Sequence, residues 1–171
     1  MAQSSYKERY GIRLYKEYFN FAAAHFLIFA DGRREELHGH NYAATMELDA
    51  ALDAGGLVAD FLQVKPIFRA LCDGLDHRVL LPRRNPHLMV DEGETEVGAR
   101  FGADRWLFPR RDVTVLDIDN TASELLARFL CQGLLRDLGA ELPLLQPRRV
   151  LVSVQESPGQ CAIYERIFEV S

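Results

Sequence analysis

The 171-residue chain is 48% hydrophobic and has a formal net charge of −5, which is typical of one globular domain that buries its own core. The acidic balance argues against a nucleic-acid-binding surface. No apolar run approaches the roughly 20 residues of a membrane-spanning helix, so we predict a single cytoplasmic domain over residues 1–171 with no membrane contact.

The first half of the chain is predicted to contain two strands and a helix. A polar tail at residues 1–11 precedes strand formers at residues 12–30 and 38–52, and the Asp31-Gly32 turn signal between these runs favours antiparallel pairing. Asp60 is the predicted N-cap of a helix that ends near residue 75, because apolar residues recur there at three- and four-residue spacing.

The second half is predicted to contain an excursion, a helix and a terminal hairpin. Turn signals separate short apolar runs within residues 82–117, which predicts a small hairpin excursion. A helix at residues 121–138 follows, with Asn120 or Thr121 as its N-cap and Glu124 at the capping-box position. Strands at residues 149–156 and 161–170 then form a hairpin.

This order of elements predicts an α+β fold, in which a four-stranded antiparallel sheet has both helices on one face. The exposed edges of such a sheet favour association with other subunits. The three cysteines of the chain, Cys72, Cys131 and Cys161, lack CxxC spacing. An odd number of cysteines without that spacing favours reduced core thiols over a disulfide framework.

Three histidines are predicted to converge in this arrangement. His38 and His40 are two residues apart on a strand and therefore point to the same face. Antiparallel pairing with the preceding strand would bring His25 beside them. Three neutral imidazoles leave the fourth tetrahedral position of Zn²⁺ open for water or substrate, as in catalytic zinc sites. The same pattern also fits two solvent-exposed strand histidines and one core histidine.

Six segments of the chain form a distinctive series of motifs: Ala22-Ala23-Ala24-His25, His38-Gly39-His40-Asn41-Tyr42, Val58-Ala59-Asp60-Phe61, Leu75-Asp76-His77, Asn120-Thr121-Ala122-Ser123-Glu124 and Gln155-Glu156-Ser157. In this order they resemble the motifs of the 6-pyruvoyl-tetrahydropterin synthase and 6-carboxy-tetrahydropterin synthase family. The resemblance spans about residues 19–170. It implies the tunnelling fold (T-fold), in which subunits assemble into a β-barrel, usually as a homohexamer with active sites between subunits.

The resemblance also implies roles for individual residues. A zinc ion would be held by His25, His38 and His40, and a lyase reaction would take place on a pterin substrate. Thr121 and Glu156 would bind that substrate, and a carboxylate such as Glu156 can accept two parallel hydrogen bonds from the 2-amino group and a ring nitrogen of a pterin.

A proton relay is the remaining part of the implied site. Asp76 and His77 match the relay pair of the family, in which the carboxylate fixes the imidazole while the histidine moves the proton. An adjacent Asp-His pair is also common on protein surfaces.

One departure from the family pattern decides the predicted reaction. The two main types of the family place a catalytic cysteine shortly before the His-Gly-His motif, whereas this chain has Glu35 and Glu36 there. The resulting Glu-x-x-His-Gly-His pattern resembles a variant branch that cleaves 7,8-dihydroneopterin triphosphate to 6-hydroxymethyl-7,8-dihydropterin, a folate precursor. A carboxylate near a metal-bound substrate can act as the general base, and Glu35 is the better candidate.

Two alternatives remain open from the sequence. The chain could give a 6-pyruvoyl or 6-carboxy product, as in tetrahydrobiopterin or queuosine biosynthesis, with another carboxylate or Cys72 as the base. It could also be a pterin-binding protein without turnover, if Glu35 and Glu36 are only loop charges.

Overall fold

The computed structural model describes residues 8–169, which form ten strands, three α-helices and a single 3-10 turn at Arg110–Asp112. The strands are β1 Tyr10–Leu14, β2 Asn20–His25, β3 His38–Ala50, β4 Arg78–Pro82, β5 Met89–Glu92, β6 Glu96–Phe101, β7 Asp104–Pro109, β8 Val113–Leu116, β9 Pro147–Ser157 and β10 Gln160–Ile167. The helices are α1 Phe61–Asp73, α2 Ser123–Leu138 and the short α3 Glu141–Leu145. The α+β class predicted from the sequence is confirmed.

The main sheet has seven strands rather than the predicted four. Its order is β10-β9-β3-β2-β4-β8, and β1 pairs with β3 beside β2. The four predicted strands form its antiparallel centre, whereas β4 and β8 extend it by parallel pairing. The two added strands are only five and four residues long, which leaves little periodicity to detect in the sequence.

The predicted first strand, residues 12–30, is two strands in the structure. The chain turns at residues 15–19, where the amide of Phe19 donates to the carbonyl of Lys16 at 2.9 Å. The strands on either side of the turn both pair with β3, one along each part of its length. The predicted tail is also shorter than expected, because Tyr10 and Gly11 already belong to β1, and residues 1–7 lie outside the described part.

Helix α1 has the predicted bounds, whereas the start of α2 differs from the prediction. Asp60 caps α1 by accepting from the amide of Leu62 at 2.7 Å. Helix α2 begins at Ser123 without a side-chain cap. Asn120 and Thr121 are not its caps, because their side chains bind the backbone of Ile28 and Phe26 instead. Both long helices contribute to one large hydrophobic cluster on the main sheet.

The predicted hairpin at residues 82–117 is instead a three-stranded antiparallel sheet of β5, β6 and β7, here called the small sheet. It packs over a second hydrophobic cluster, which includes Phe26, Ile28 and Val97. The ends of the predicted excursion, Pro82 and Val113–Leu116, belong to the main sheet.

Two of the three cysteines confirm the predicted core thiols. Cys72 and Cys131 are buried, whereas Cys161 is exposed, and all three are free. Within residues 8–169, no helix is both long enough and apolar enough to span a membrane.

Candidate active site

The register between β2 and β3 brings the three histidines together, as predicted. His25 pairs directly with His38, and Ala23 pairs with His40. One ligand atom from each histidine and one from Glu156 all lie within 4.8 Å of one another. His25, His38 and His40 are here called the histidine cluster.

Backbone carbonyls fix the orientation of two of the imidazoles. The Nδ1 atom of His25 lies 3.1 Å from the carbonyl of Thr121, and Nδ1 of His38 lies 2.7 Å from that of Glu36. Since a carbonyl only accepts, both Nδ1 atoms carry a proton, which in the neutral imidazole leaves the lone pair on Nε2. Burial lowers the pKa of His25, so its imidazole stays neutral and able to bind a metal.

Glu156 lies inside this cluster, which sequence reasoning missed. Its Oε1 is 2.9 Å from Nε2 of His40, and its Oε2 accepts a hydrogen bond from the Ser123 hydroxyl at 2.8 Å. The β3–β9 register explains the position, because Gln155 pairs with Ala43 and Glu156 therefore comes level with Tyr42. Finding this contact from the sequence would have required knowledge of the register between β3 and β9.

Tyr42 is a second residue that the sequence reasoning did not assign. Its hydroxyl lies 2.9 Å from Nε2 of His25, and burial raises the pKa of the phenol. The signal for it was present, since Tyr42 follows His40 by two residues on one strand and so shares its face.

The donor set fits a metal ion. Three imidazoles and a carboxylate are nitrogen and oxygen ligands of the kind that divalent transition metals bind. The Nε2 atom of His40 is buried and makes no well-aligned hydrogen bond, despite the nearby Glu156 oxygen. A buried polar atom without a hydrogen bond costs free energy, and a metal at this position would satisfy it.

Glu35, rather than Glu36, faces the histidine cluster. Its Oε2 lies 4.0 Å from Nε2 of His38 and accepts from the amide of Leu27 at 3.2 Å. The side chain of Glu36 is 94% exposed and turns toward Arg34. The structure thus brings one of the two candidate bases close to the cluster.

Asp76 and His77 form a closely held pair beside the same region. Asp76 accepts from the amide of Ala22 at 2.7 Å and contacts Nδ1 of His77 at 2.8 Å. The Ala22 hydrogen bond, followed by His77, lowers the pKa of Asp76. His77 has a left-handed φ of 54° and an 83% exposed side chain. His77 and His40 border one cleft of about 430 Å³.

Thr121 has a different environment from the one expected of a substrate-binding side chain. It is fully buried, and its hydroxyl donates to the carbonyl of Phe26 at 3.0 Å. Its own carbonyl receives the hydrogen bond from His25. In this structure Thr121 therefore orients a histidine, and its assignment to substrate binding stays a prediction.

Comparisons with known proteins agree with the fold. Residues 13–167 match the family model described as 6-pyruvoyl tetrahydropterin synthase. A protein of Methanocaldococcus jannaschii, provisionally named a 6-carboxy-5,6,7,8-tetrahydropterin synthase, is 29% identical over 152 residues, covering 88% of this chain and 91% of the relative.

Solved structures show the same architecture. The 6-pyruvoyl tetrahydropterin synthase of Plasmodium vivax superposes with a TM-score of 0.86 at 28% identity, covering 95% of this chain and 100% of that one. The Plasmodium falciparum enzyme gives a TM-score of 0.87 at 26% identity over the same shares. A further P. vivax structure replaces a glutamate, described as a catalytic residue, by alanine. The predicted T-fold is thereby confirmed.

Proposed function

The chain belongs to the 6-pyruvoyl tetrahydropterin synthase family, and from that membership we propose a zinc-dependent lyase that cleaves the side chain of 7,8-dihydroneopterin triphosphate. The proposed product is 6-hydroxymethyl-7,8-dihydropterin. The observation that carries this proposal is the position of Glu35, whose carboxylate lies 4.0 Å from His38 in the histidine cluster.

His25, His38 and His40 would hold the zinc ion, in agreement with the metal-binding donor set that they form with Glu156. Zinc would act as a Lewis acid that stabilises negative charge developing on the side-chain oxygens of the substrate. The protein contributes the orientation of the imidazoles, through the carbonyls of Thr121 and Glu36.

Glu35 would act as the general base in a retro-aldol cleavage. Its carboxylate would take the proton of a side-chain hydroxyl, the neighbouring carbon–carbon bond would break, and the released fragment would leave as an aldehyde. The electron pair would remain on the carbon attached to the pterin. His77, supported by Asp76, would then deliver a proton to that carbon, completing the hydroxymethyl group.

A glutamate in this role is supported by two observations. The glutamate replaced in the P. vivax variant is described as a catalytic residue of that enzyme, and Glu35 is the glutamate of the residue 26–37 loop that faces the histidine cluster. The alternative base Cys72 is fully buried in the large hydrophobic cluster. Burial raises its pKa to about 12, so the Cys72 thiol stays protonated near neutral pH and is a poor base.

Glu156 would anchor the pterin ring. Ser123 holds one of its oxygens, and a carboxylate fixed in this way can accept two parallel N–H bonds from the pterin. The proposed assembly is a cytoplasmic homohexamer with active sites between subunits. Strand β10 supports association, because it lies at an end of the main sheet and exposes Ile163 and Ile167.

A second candidate function is the synthesis of a 6-pyruvoyl or 6-carboxy product. The names of the P. vivax and M. jannaschii proteins favour it. A pterin-binding protein without turnover would be the outcome if Glu35 does not take a proton.

The test is to replace Glu35 by alanine and measure turnover of 7,8-dihydroneopterin triphosphate by the zinc-loaded protein. Turnover should fall about 10²- to 10⁴-fold, which is the usual contribution of a general base, while bound zinc is unchanged. Glu36→Ala is the matched control, because its side chain is 94% exposed, with its carboxylate 3.5 Å from Arg34. Near wild-type turnover by Glu35→Ala would contradict the proposal.

A further inference from the structure

The first half of the loop of residues 26–37, here called the Glu35 loop, is held in place by packing and by hydrogen bonds. Phe26 and Ile28 are buried in the cluster beneath the small sheet. Asn120 completes the attachment, because its side chain accepts from the amide of Ile28 at 3.2 Å and donates to the carbonyl of Ile28 at 2.8 Å. The first half of the loop is therefore fixed to both the small sheet and the segment before α2.

One side chain ties the second half of the loop to the small sheet. Nη2 and Nε of Arg34 lie 2.5 and 2.9 Å from the same carboxylate oxygen of Asp104, at the start of β7. Nη1 of Arg34 donates to the backbone carbonyl of Glu35 at 2.7 Å. The guanidinium carbon lies 4.9 Å from the ring centroid of Trp106. Arg34 thus connects β7 directly to the backbone of the proposed base.

These contacts differ in kind from an ordinary surface ion pair. The Arg34 side chain is only 16% exposed, so its contacts with Asp104 and the Trp106 ring are partly shielded from water and strengthened. The adjacent Arg33 offers the contrast. Its side chain is 75% exposed, and its ion-pair partner within residues 8–169 is Asp31 of its own turn. Its guanidinium carbon lies 5.2 Å from the ring centroid of Phe29, also in that turn, and such exposed contacts contribute little.

We propose that the small sheet is a positioning device for Glu35 and that it acts through Arg34. This inference rests on the proposed function, since it gives Glu35 the role of base. The histidines lie on or at the end of strands of the main sheet, whereas Glu35 lies on a loop whose backbone is held from outside that sheet. Releasing Arg34 would move the Glu35 carboxylate, while the backbones of His25, His38 and His40 stay on β2 and β3. The Glu36 carbonyl that binds Nδ1 of His38 would move with the loop.

The expected effect is on the chemical step alone. A displacement of about 1 Å in a catalytic group can cost about 100-fold in rate. Asp104→Ala and Arg34→Ala should therefore lower kcat by about 10- to 100-fold, with KM and bound zinc unchanged. Asp104 is half exposed, so its replacement leaves the core intact even if Arg34→Ala folds poorly.

Two variants serve as matched controls. Asp31→Ala and Arg33→Ala remove the exposed pair at the tip of the same loop and should turn over at the wild-type rate.

Arg34→Lys keeps the positive charge but lacks the guanidinium plane. That plane contacts Asp104 through two nitrogens and covers Trp106, so most of the loss in kcat should remain in Arg34→Lys.

The experiment measures kcat for these variants alone and in the Glu35→Ala background, together with amide hydrogen exchange of residues 26–37. If Arg34 acts through Glu35, Asp104→Ala causes no further loss once Glu35 is alanine. Exchange in the loop should rise by at least about tenfold in Asp104→Ala and stay unchanged in Arg33→Ala, which keeps the hydrogen bond from the amide of residue 33 to the Asp31 carboxylate.

Wild-type kcat in both Arg34→Ala and Asp104→Ala, with Glu35→Ala inactive, would overturn the positioning role and leave the proposed function intact. Full activity of Glu35→Ala would overturn the glutamate base and the positioning role together. That failure is recognised from the single Glu35 variant, before any Arg34 variant is made.

Discussion

The two hydrophobic clusters of this molecule differ in size and in what lies beside them. The larger cluster fills the space between the main sheet and helices α1 and α2. The smaller cluster lies beneath the small sheet and includes Phe26 and Ile28 of the Glu35 loop. Most residues of the larger one lie on strands and helices, whereas the smaller one joins the Glu35 loop to the small sheet and to β4 and β8 of the main sheet.

Because of this difference, substitutions in the larger cluster should mainly affect stability, and substitutions in the smaller cluster should mainly affect the position of Glu35. Loss of packing in the larger cluster should lower the folded fraction and leave the site of each folded molecule unchanged. Loss of packing in the smaller cluster should cost less stability but loosen the loop that carries Glu35. Substitutions in each cluster can test this separation.

The largest expected effect is that of Phe68→Ala, in the larger cluster. Phe68 is fully buried on α1 and its ring packs edge-on against Phe19 at 5.1 Å. Its removal should lower the free energy of unfolding by about 3–5 kcal/mol. Val97→Ala, in the smaller cluster, should cost about 2 kcal/mol. Urea denaturation measures both values.

The effect on kcat per folded molecule should be larger for Val97→Ala than for Phe68→Ala, the reverse of their effects on stability. Val97→Ala should lower kcat, whereas Phe68→Ala should keep the wild-type value in the folded fraction. Leu107→Ala is the control on the small sheet, because Leu107 is 65% exposed and its loss should change stability by less than about 0.5 kcal/mol. Equal kcat in Val97→Ala and the wild type would show that packing in the smaller cluster does not control the position of Glu35.

Glu156 links helix α2 to the site, because Ser123 at the start of α2 holds its carboxylate. Glu156→Gln should weaken pterin binding by about 1.5–3 kcal/mol, the usual value of a hydrogen bond to a charged group, with zinc affinity unchanged. Titration calorimetry measures the two affinities separately. A matching fall in zinc affinity would instead identify Glu156 as a fourth metal ligand.

Ser123→Ala should shift pterin affinity in the same direction by about 1 kcal/mol. Its control is Ser153→Ala, since the Ser153 hydroxyl bonds to Thr45 at 2.6 Å and makes no contact with Glu156.

The smallest expected effect is on the reactivity of the three thiols. Burial raises the pKa of Cys72 to about 12 and that of Cys131 to about 11. A raised pKa keeps a thiol protonated over a wider pH range, and only the thiolate reacts with electrophiles. At pH 8 the folded protein should therefore expose one reactive thiol, Cys161, and raising the pH to 9 should not add the other two.

Counting modified thiols by mass spectrometry checks this, and Cys161→Ser should remove the reaction. Phe68→Ala should speed modification of Cys72, which shares its cluster, whereas Val97→Ala should not. Fast modification of all three thiols at pH 8 in the folded wild type would be the contrary result.

The centre of the fold could be predicted because its signals are local. Alternation marks β3, helical spacing marks α1, and Asp60 is a cap at the expected position. Strands β4 and β8 could not be found in this way, since each is short and is defined by parallel pairing with a distant partner. Asn120 was misassigned because a helix cap and a loop attachment use the same residue type.

The same distinction between local and long-range signals decides which residues of the site could be predicted. His38 and His40 share a strand face, and one turn signal brings His25 beside them, so their convergence follows from the sequence. The contact of Glu156 with His40 depends on the β3–β9 register. The Arg34–Asp104 contact spans 70 positions and depends on a three-stranded sheet where the sequence pattern predicts only a hairpin.

The proposed reaction is tested by incubating zinc-loaded protein with 7,8-dihydroneopterin triphosphate and identifying the pterin product by mass. The expected product is 6-hydroxymethyl-7,8-dihydropterin, which should disappear on chelation and return when Zn²⁺ is added. A 6-pyruvoyl or 6-carboxy product, or bound but unchanged substrate, would contradict the account.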